Sequence, residues 1–202
     1  MKDKLLNDRV NPVVGIFYRC GLTPRSLRCP GKHLMTNSDL ALQLARPADA
    51  PTIADMSRVL IEYGLRWRWT AERVAASIRD PNVNVLVARA NNRMVGFAIM
   101  RYGDDNAHLD LLAVAPAYRR LGIARQLLEW LEKCAVVAGI FTVALEVRAD
   151  NEAAQLFYKR LGYRTISQLP GYYQGVEAAI RMGRDLSSQP LDHGPTPQKP
   201  LC

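Results

Sequence analysis

The hydrophobic pattern of the chain changes its period at Pro116. Before that residue, the segment "VNVLVARANNRMVGFAIMRYGDDNAHLDLLAVAP" has the pattern of three strands, with turns at "ANNR" and "GDDN". After it, apolar residues recur at three- and four-residue steps until Gly139, as they do on one face of a helix. The members of that face are Ala124, Leu127, Leu128, Leu131 and Ala135. Three strands that lead directly into an amphipathic helix indicate an α/β fold.

The flanking segments extend this pattern on both sides. The strand "LALQLARP" and two helices, "DAPTIADMSRVLIEYG" and "TAERVAASIRDP" with Thr70 as N-cap, precede the three strands. The strand "IFTVALEV", a helix from Asn151 to Gly162, and the strands "YRTISQL" and "EAAIRMGRDL" follow the long helix. The inward face of the first helix is predicted to hold Ile53, Met56, Val59 and Leu60. The order β-α-α-β-β-β-α-β-α-β-β predicts one α/β domain with a mixed, mostly antiparallel central sheet and about four helices.

The net charge of +8 is concentrated at the amino end of the chain. Residues 1–34 hold seven Lys or Arg against two acids, and the rest of the chain carries only +3, which argues against nucleic acid as a direct partner. We predict a disordered basic extension over 1–38, the domain over 39–186 and a disordered Pro-rich tail over 187–202. The extension is either a transit peptide or the product of a start codon upstream of Met35, and it has no apolar run long enough to span a membrane.

The four cysteines form no C-x-x-C pair and three of them lie in the predicted tails. They are Cys20, Cys29, Cys134 and Cys202. This usage indicates reduced thiols in a cytoplasmic protein. Cys20, Cys29 and His33 are zinc-ligand types without a fourth ligand at suitable spacing, so we predict no metal.

The segment "YRRLGIARQLL" places three arginines and a glycine where a strand turns into a helix. A positive side chain at a helix N-terminus opposes the helix dipole by roughly 0.3–1 kcal/mol, and a bound anion removes the conflict. Free backbone N–H groups and a glycine at this turn are suited to phosphate. The pattern R-x-x-G-x-A is weak by itself, and a solvated helix end is the alternative.

Several longer motifs, in order, point to one family. The segment "LLAVAPAYRRLGIARQLLEWL" resembles the acetyl-CoA-binding motif of the GNAT superfamily of N-acetyltransferases. Within that superfamily, "LEVRADNEAAQLFYKRLGY" followed by "PGYYQGVEAAIRM" is similar to the ribosomal-protein-alanine N-acetyltransferases and related protein N-terminal acetyltransferases. The resemblance extends from about Leu42 to Leu186. It implies a GNAT fold and acetyl-CoA as co-substrate.

The resemblance also assigns a cofactor site. Backbone groups of one strand would pair with the pantetheine arm, and N–H groups of the basic turn would hold the pyrophosphate. Asn151 matches a position that contacts acetyl-CoA in the relatives, although a plain helix cap explains it equally well. The implied residues are Leu112, Ala113, Val114, Arg119, Arg120, Leu121, Gly122, Ile123, Ala124, Arg125 and Asn151.

Glu146 is a carboxylate between Leu145 and Val147 in an apolar strand. An alkylammonium must lose a proton before it can attack a thioester, and a carboxylate whose pKa is raised by burial can accept that proton, directly or through one water. The alternative is a solvent-facing residue of an alternating strand, with Arg148 on the same face. The resemblance favours the general base.

Three tyrosines complete the predicted site. Tyr158 lies on the helix after the Glu146 strand, beside a stripe formed by Ala153, Phe157 and Leu161, and the resemblance implies that it protonates the departing CoA thiolate. The alternative is an amphipathic tyrosine at the core edge. The resemblance implies that Tyr172 and Tyr173, in the turn between the last two strands, hold the backbone of the substrate; two exposed turn tyrosines are the alternative. The relatives place further acids after this pair, whereas here only Glu177 follows.

The leading hypothesis is acetyl transfer from acetyl-CoA to the α-amine of a protein N-terminus, with a ribosomal protein as one acceptor. A small amine such as a polyamine or an aminoglycoside is an alternative acceptor, and a non-catalytic module that binds acetyl-CoA or docks on the ribosome is the alternative of another class. We expect a cytoplasmic monomer or homodimer without membrane contact.

Overall fold

The computed structural model describes residues 40–187. The predicted extension, nearly all of the predicted tail and the residues Cys20, Cys29 and His33 lie outside this range. The elements are β1 (Leu40–Leu44), α1 (Ala50–Leu60), α2 (Ala71–Arg79), β2 (Val83–Ala90), β3 (Arg93–Tyr102), β4 (Ala107–Val114), α3 (Ile123–Val137), β5 (Thr142–Arg148), α4 (Glu152–Arg160), β6 (Arg164–Tyr173) and β7 (Glu177–Asp185). Short 3₁₀ turns lie at Pro47–Asp49 and Pro116–Tyr118. The predicted order of strands and helices is confirmed.

The seven strands form one sheet in the order β1-β2-β3-β4-β5-β7-β6, antiparallel except between β4 and β5. Apolar side chains cover both of its faces. Helices α1 and α2 pack on one face, which we call the α1/α2 face, and α3 and α4 pack on the other, the α3/α4 face. This confirms the predicted α/β fold with a mostly antiparallel sheet and four helices. None of the described helices is long and apolar enough to cross a bilayer.

Strands β4 and β5 separate along their length. They pair only at Ala107 with Val143 and at His108 with Ala144, close to their amino ends. Because the two strands are parallel, their carboxyl ends lie at the same edge of the sheet, and the rest of each strand diverges from the other. The result is a wedge-shaped opening in the middle of the sheet, which we call the wedge.

A β-bulge at Asp110 changes the alternation of side chains along β4. Met100 of β3 pairs with Leu109 and the preceding Ile99 pairs with Leu111, so Asp110 is the extra residue. Leu109 and Leu112 therefore share the α3/α4 face, while Leu111 points to the α1/α2 face. His108 and Asp110, two residues apart on β4, lie side by side, with Nδ1 of His108 3.1 Å from Oδ1 of Asp110.

The helix boundaries agree with the local sequence, with one exception in the packing of α1. Thr70 and Asn151 accept hydrogen bonds from the backbone N–H groups of Arg73 and Ala154, so both predicted caps are confirmed. The predicted burial of Val59 is wrong, since its side chain is 67% exposed. The buried face of α1 lies one step round the helix, at Ala50, Ile53, Ala54 and Ser57.

Candidate active site

Glu146 is buried on the α1/α2 face of β5, with 1% of its surface exposed. Its neighbours Leu145 and Val147 pack on the opposite face, as strand alternation requires. Arg148, on the same side as Glu146, is also buried. The solvent-facing alternative for Glu146 is therefore wrong.

A continuous row of charged groups passes through Glu146. One carboxylate oxygen lies 2.8 Å from His108 Nε2, and the other accepts a hydrogen bond of 2.8 Å from Arg181 Nε. Arg181 comes from the position on β7 directly opposite Glu146. On the far side of His108, its Nδ1 lies 3.1 Å from Asp110 Oδ1, and Asp110 also pairs with Arg101. Each carboxylate thus lies between two cationic groups.

This row reverses the pKa shift that the sequence predicts for Glu146. Burial alone would raise the pKa of its carboxyl, but the hydrogen bonds and charges of His108 and Arg181 lower it. Burial alone would also lower the pKa of His108, yet the hydrogen bonds and charges of Asp110 and Glu146 raise it to about 9. At neutral pH the pair therefore holds an ionised Glu146 and a protonated His108.

Tyr158 lies inside the core of the α3/α4 face. Its side chain is fully buried between the rings of Phe157 and Tyr163, at centroid distances of 5.1 and 5.4 Å. The predicted core stripe of α4 is wrong, because Ala153 is exposed and Ala154 is buried in its place. No described residue forms a hydrogen bond with the Tyr158 hydroxyl. Burial raises the pKa of this hydroxyl well above its usual value, so it stays protonated.

Glu146 and Tyr158 come from opposite faces of the sheet. Burial is the main cause of the raised pKa of Tyr158, and an electrostatic interaction with Tyr173 adds to it. Tyr173 belongs to the apolar cluster of the α1/α2 face. The Tyr158 hydroxyl is therefore close enough to the sheet to interact with a group on the far side.

A cleft of about 370 Å³ lies beside the wedge, between the start of α3 and α4. Of the predicted cofactor residues it is lined by Val114, Arg119, Arg120, Gly122, Ile123, Ala124 and Arg125. Residues of α4 and its end line the opposite side, including Leu156, Phe157 and Arg160. Leu112, Ala113, Leu121 and Asn151 do not line it. The Nδ2 of Asn151 has no hydrogen-bond partner among residues 40–187, so it retains a donor for a ligand.

The backbone at the start of α3 presents its N–H groups to this cleft. Arg120 and Gly122 adopt left-handed conformations, with φ of 66° and 78°. The first hydrogen bond of the helix runs from the N–H of Gln126 to the carbonyl of Gly122. The N–H groups of the three residues between them have no partner within the helix, which is the arrangement that binds phosphate.

The open edge of β4 offers further backbone groups. The N–H of Ala115 donates to Val95 of β3, and backbone groups alternate in direction along a strand. The N–H groups of Leu112 and Val114 therefore point into the wedge, where an extended chain can pair with them. The same alternation turns Ala113 towards β3 and does not support a backbone contact from that residue.

Tyr172 and Tyr173 line a second pocket, of about 660 Å³, on the α1/α2 side, which we call the acceptor pocket. The two tyrosines end β6 rather than occupying the turn, and neither is exposed, so the alternative of exposed turn tyrosines is wrong. Burial raises the pKa of Tyr172, and the charge of Glu146 and a hydrogen bond to it add to the shift. The pocket therefore adjoins the buried carboxylate.

Comparison with known proteins agrees with this geometry. The model of the acetyltransferase (GNAT) family matches residues 53–163, more than half of the chain. The chain belongs to the GNAT acetyltransferase family. It is thus an N-acetyltransferase, which confirms the predicted enzyme class and the predicted family.

Individual relatives narrow the comparison. The [ribosomal protein bS18]-alanine N-acetyltransferase of Salmonella typhimurium is 41% identical over 101 residues, which is 48% of this chain and 68% of that protein. The crystal structure of the ribosomal-protein-S18-alanine N-acetyltransferase from Escherichia coli has a TM-score of 0.63 at 29% identity, over 76% of this chain and 97% of that one. An aminoglycoside 6′-N-acetyltransferase complexed with coenzyme A, 21% identical over 74% of this chain and 99% of that one, shares the fold with a TM-score of 0.63.

Several charged residues of the site in this acetyltransferase were not predicted from the sequence. His108 and Asp110 stand in "AHLDLLAV" as polar residues within an apolar strand, which is the same signal that identified Glu146. Three arginines that line the acceptor pocket come from the α1–α2 loop and the first turn of α2, and they carry no motif. Only the fold brings them next to Tyr172 and Tyr173.

Proposed function

We propose that this acetyltransferase transfers an acetyl group from acetyl-CoA to the α-amine of a protein N-terminus, with Glu146 accepting the amine proton and Tyr158 protonating the leaving sulfur. Two complementary buried groups support the proposal, one on β5, which borders the wedge, and one on α4, which borders the cleft. One is a buried, ionised carboxylate, and the other is a buried hydroxyl that stays protonated and has no partner among the described residues.

The residues at the cleft suit acetyl-CoA. The free N–H groups of Ile123, Ala124 and Arg125 would hold the pyrophosphate, and the backbone of Leu112 and Val114 would pair with the pantetheine arm. Arg119 donates from Nε to the Val114 carbonyl at 3.2 Å, which fixes the basic turn against the open edge of β4. Acetyl-CoA, when bound, supplies an acetyl thioester whose sulfur departs as a thiolate.

Glu146 removes the proton from the acceptor amine, which then forms the new N–C bond. A carboxylate with a lowered pKa is a weak base when it acts alone, so the partner at 2.8 Å matters. The pKa of His108 is about 9, so His108 stays protonated at neutral pH. Once His108 loses its proton, Glu146 becomes a stronger base and accepts the amine proton more readily. We therefore expect kcat/KM to rise from neutral pH towards pH 9.

Tyr158 provides the proton for the sulfur when the C–S bond breaks. Burial raises the pKa of its hydroxyl well above 10, so the hydroxyl is protonated between pH 8 and pH 10, where an α-amine with a pKa of about 8 is largely neutral. A hydroxyl that has no partner among residues 40–187 donates without first breaking another bond.

The acceptor is an N-terminal α-amine because the acceptor pocket is open and contains tyrosines that can contact a peptide backbone. Tyr172 and Tyr173 form its wall next to Glu146. The similarity to the bS18-alanine acetyltransferases supports a ribosomal or other protein as acceptor and, with it, a cytoplasmic location.

A panel of acceptors tests the proposal. Purified protein and acetyl-CoA are incubated with Ala-, Ser- and Met-initiated peptides, spermidine and an aminoglycoside, and CoA release is measured. We expect release with peptides and none above background with blocked N-termini. If CoA is released with small amines but not with peptides, the acceptor is a small molecule and not a protein N-terminus. Binding of acetyl-CoA without release from any amine would indicate a binding module.

A further inference from the structure

The acceptor pocket is basic. Its lining includes Arg66 and Arg68 from the loop after α1 and Arg73 from the first turn of α2, against one carboxylate, that of Glu62. None of the three arginines forms a salt bridge with an acid anywhere in residues 40–187. The wall of the pocket therefore carries an excess of positive charge.

Glu62 offsets only one of these three positive charges, and its oxygens already have hydrogen-bond partners. They accept hydrogen bonds from the Ser57 hydroxyl at 3.1 Å and from the backbone N–H groups of Arg68 and Trp69 at 2.7 and 3.3 Å. The carboxylate is buried, and these bonds fix the loop that carries two of the arginines. The basic groups therefore belong to a tethered loop and not to a free surface segment.

Arg73 is the most firmly held of the three. Its guanidinium lies 4.1 Å from the centroid of the Trp69 ring, and Trp69 is fully buried. Burial lowers the pKa of Arg73, and the nearby charge of Asp110 opposes that shift. Asp110 belongs to the charged row that includes Glu146, so Arg73 lies near the same row.

From this arrangement we infer that the acceptor carries a carboxylate within two residues of the amine that is acetylated. The amine faces Glu146, and the carboxylate faces Arg66, Arg68 and Arg73. The inference rests on the proposed function and defines its substrate class. The carboxylate is either an acidic side chain near a protein N-terminus or the α-carboxylate of a free amino acid, and both offer the same charge to the arginines.

Matched acceptors distinguish these sources. We compare the peptides Ala-Glu-Ala-Ala-Gly, Ala-Gln-Ala-Ala-Gly and Ala-Lys-Ala-Ala-Gly, all amidated at the C-terminus, and alanine against alaninamide. A charged hydrogen bond lost from a partly buried site corresponds to a change of about 10- to 100-fold in kcat/KM. We expect the Glu peptide to exceed the Gln peptide by that factor and the Lys peptide to be the poorest acceptor. A free amino acid as the natural acceptor would instead show alanine above alaninamide and above all peptides.

Variants locate the preference. In the double variant Arg68→Gln, Arg73→Gln, the ratio of kcat/KM for the Glu peptide to kcat/KM for the Gln peptide should fall to about one. The KM for acetyl-CoA should stay unchanged. Arg73→Lys, which keeps the charge, should retain most of the ratio. Arg79→Gln, at the other end of the same helix, is the control and should leave the ratio as it is. Thermal unfolding of each variant separates loss of fold from loss of preference.

The outcomes separate failure of the inference from failure of the proposed function. Equal kcat/KM for the Glu and Gln peptides, or a preference for Lys, overturns the inference and leaves the peptide acetyltransferase intact. If no peptide is acetylated, the proposed function fails, and the ratio of alanine to alaninamide then decides the charge preference. If no amine reacts, the affinities of the Glu and Gln peptides in the presence of CoA decide the charge preference. Equal affinities overturn the inference.

Discussion

Two parts of this acetyltransferase are built in different ways. One is the cleft between α3 and α4, which we propose to bind acetyl-CoA and call the donor half. The other is the acceptor pocket, which we also call the acceptor half. The cleft is formed mainly by two short stretches of sequence, around 114–125 and 153–161, and most of the cofactor contacts that we propose there come from the backbone. The acceptor pocket is assembled from the α1–α2 loop, the first turn of α2 and the end of β6, and its character comes from side chains. Backbone contacts tolerate many side chains, so the donor half can be shared across a family while the acceptor half differs.

Removing the buried carboxylate of the charged row, Glu146, should have the largest effect. Glu146→Gln keeps the shape but cannot accept a proton, so kcat should fall by about 10²–10⁴-fold. The KM for acetyl-CoA should stay unchanged, because no part of the cleft is altered. Steady-state kinetics measures both values. Asp105→Asn, in the exposed turn between β3 and β4, is the control, and an active Glu146→Gln enzyme would contradict the assigned base.

Tyr158→Phe should lower kcat by a similar factor, about 10²–10⁴-fold, without lowering stability. The hydroxyl has no partner among residues 40–187, so its removal leaves no buried group unsatisfied. Kinetics and chemical denaturation are compared for the same protein. A purely structural tyrosine would show loss of stability with unchanged turnover.

Tyr163→Phe is the matched control for that substitution. Its hydroxyl donates to Glu132 at 2.8 Å, and Glu132 also binds Arg184. The variant leaves a buried carboxylate with one donor fewer and should lose about 1–3 kcal/mol of unfolding free energy. Its kcat should stay close to that of the unmodified enzyme, the opposite result from Tyr158→Phe.

The pair of His108 and Glu146 should make stability depend on pH. The pKa of His108 is raised from 6.5 to about 9 in the folded state, so its stabilising contribution is complete below pH 6.5 and is lost as pH rises towards 9. The loss is at most about 3 kcal/mol. Urea denaturation at pH 6.5 and pH 9 should show this fall in the unmodified protein and a smaller one in His108→Gln. Equal falls in both proteins would show that His108 is not the titrating group.

The glycine at the start of α3 gives the smallest effect and isolates the donor half. Gly122 has φ of 78°, so Gly122→Ala strains the turn that presents N–H groups to the pyrophosphate. We expect the KM for acetyl-CoA to rise about 10-fold with no change in acceptor preference. Gly139→Ala, with the same φ of 78° at the other end of the helix, has a similar conformational cost without the effect on KM. If both variants raised KM equally, global strain would be the cause.

The fold, and most of the residues that line the cleft, could be predicted from the sequence because their signals are local. Hydrophobic period, capping residues and the motif around Gly122 all lie within single elements. The direction of the pKa shift of Glu146 was not predictable from the sequence. It depends on His108, 38 positions earlier, and on Arg181, 35 positions later. The burial of Val59 was predicted wrongly because the apolar residues of α1 are compatible with two neighbouring helix faces. The sequence does not say which of these faces packs on the sheet.

The acceptor half depends on contacts that no local pattern encodes. The bulge at Asp110 puts Leu109 and Leu112 on the same face of β4, which a strictly alternating strand would not allow. Arg66 and Arg68 are exposed and Arg73 is half-buried, and no motif in the sequence singles them out. They become a site only because Glu62 fixes their loop beside Tyr172 and Tyr173.

The position of the acetyl group on a peptide with two amines tests the central claim most directly. The peptide Ala-Glu-Ala-Lys-Gly offers an α-amine and a lysine ε-amine, and tandem mass spectrometry identifies which one carries the acetyl group after incubation with the enzyme and acetyl-CoA. We predict acetylation of the α-amine alone, lost in Glu146→Gln. Acetyl groups on the lysine side chain, or turnover of the α-amine that persists in Glu146→Gln, would contradict the account.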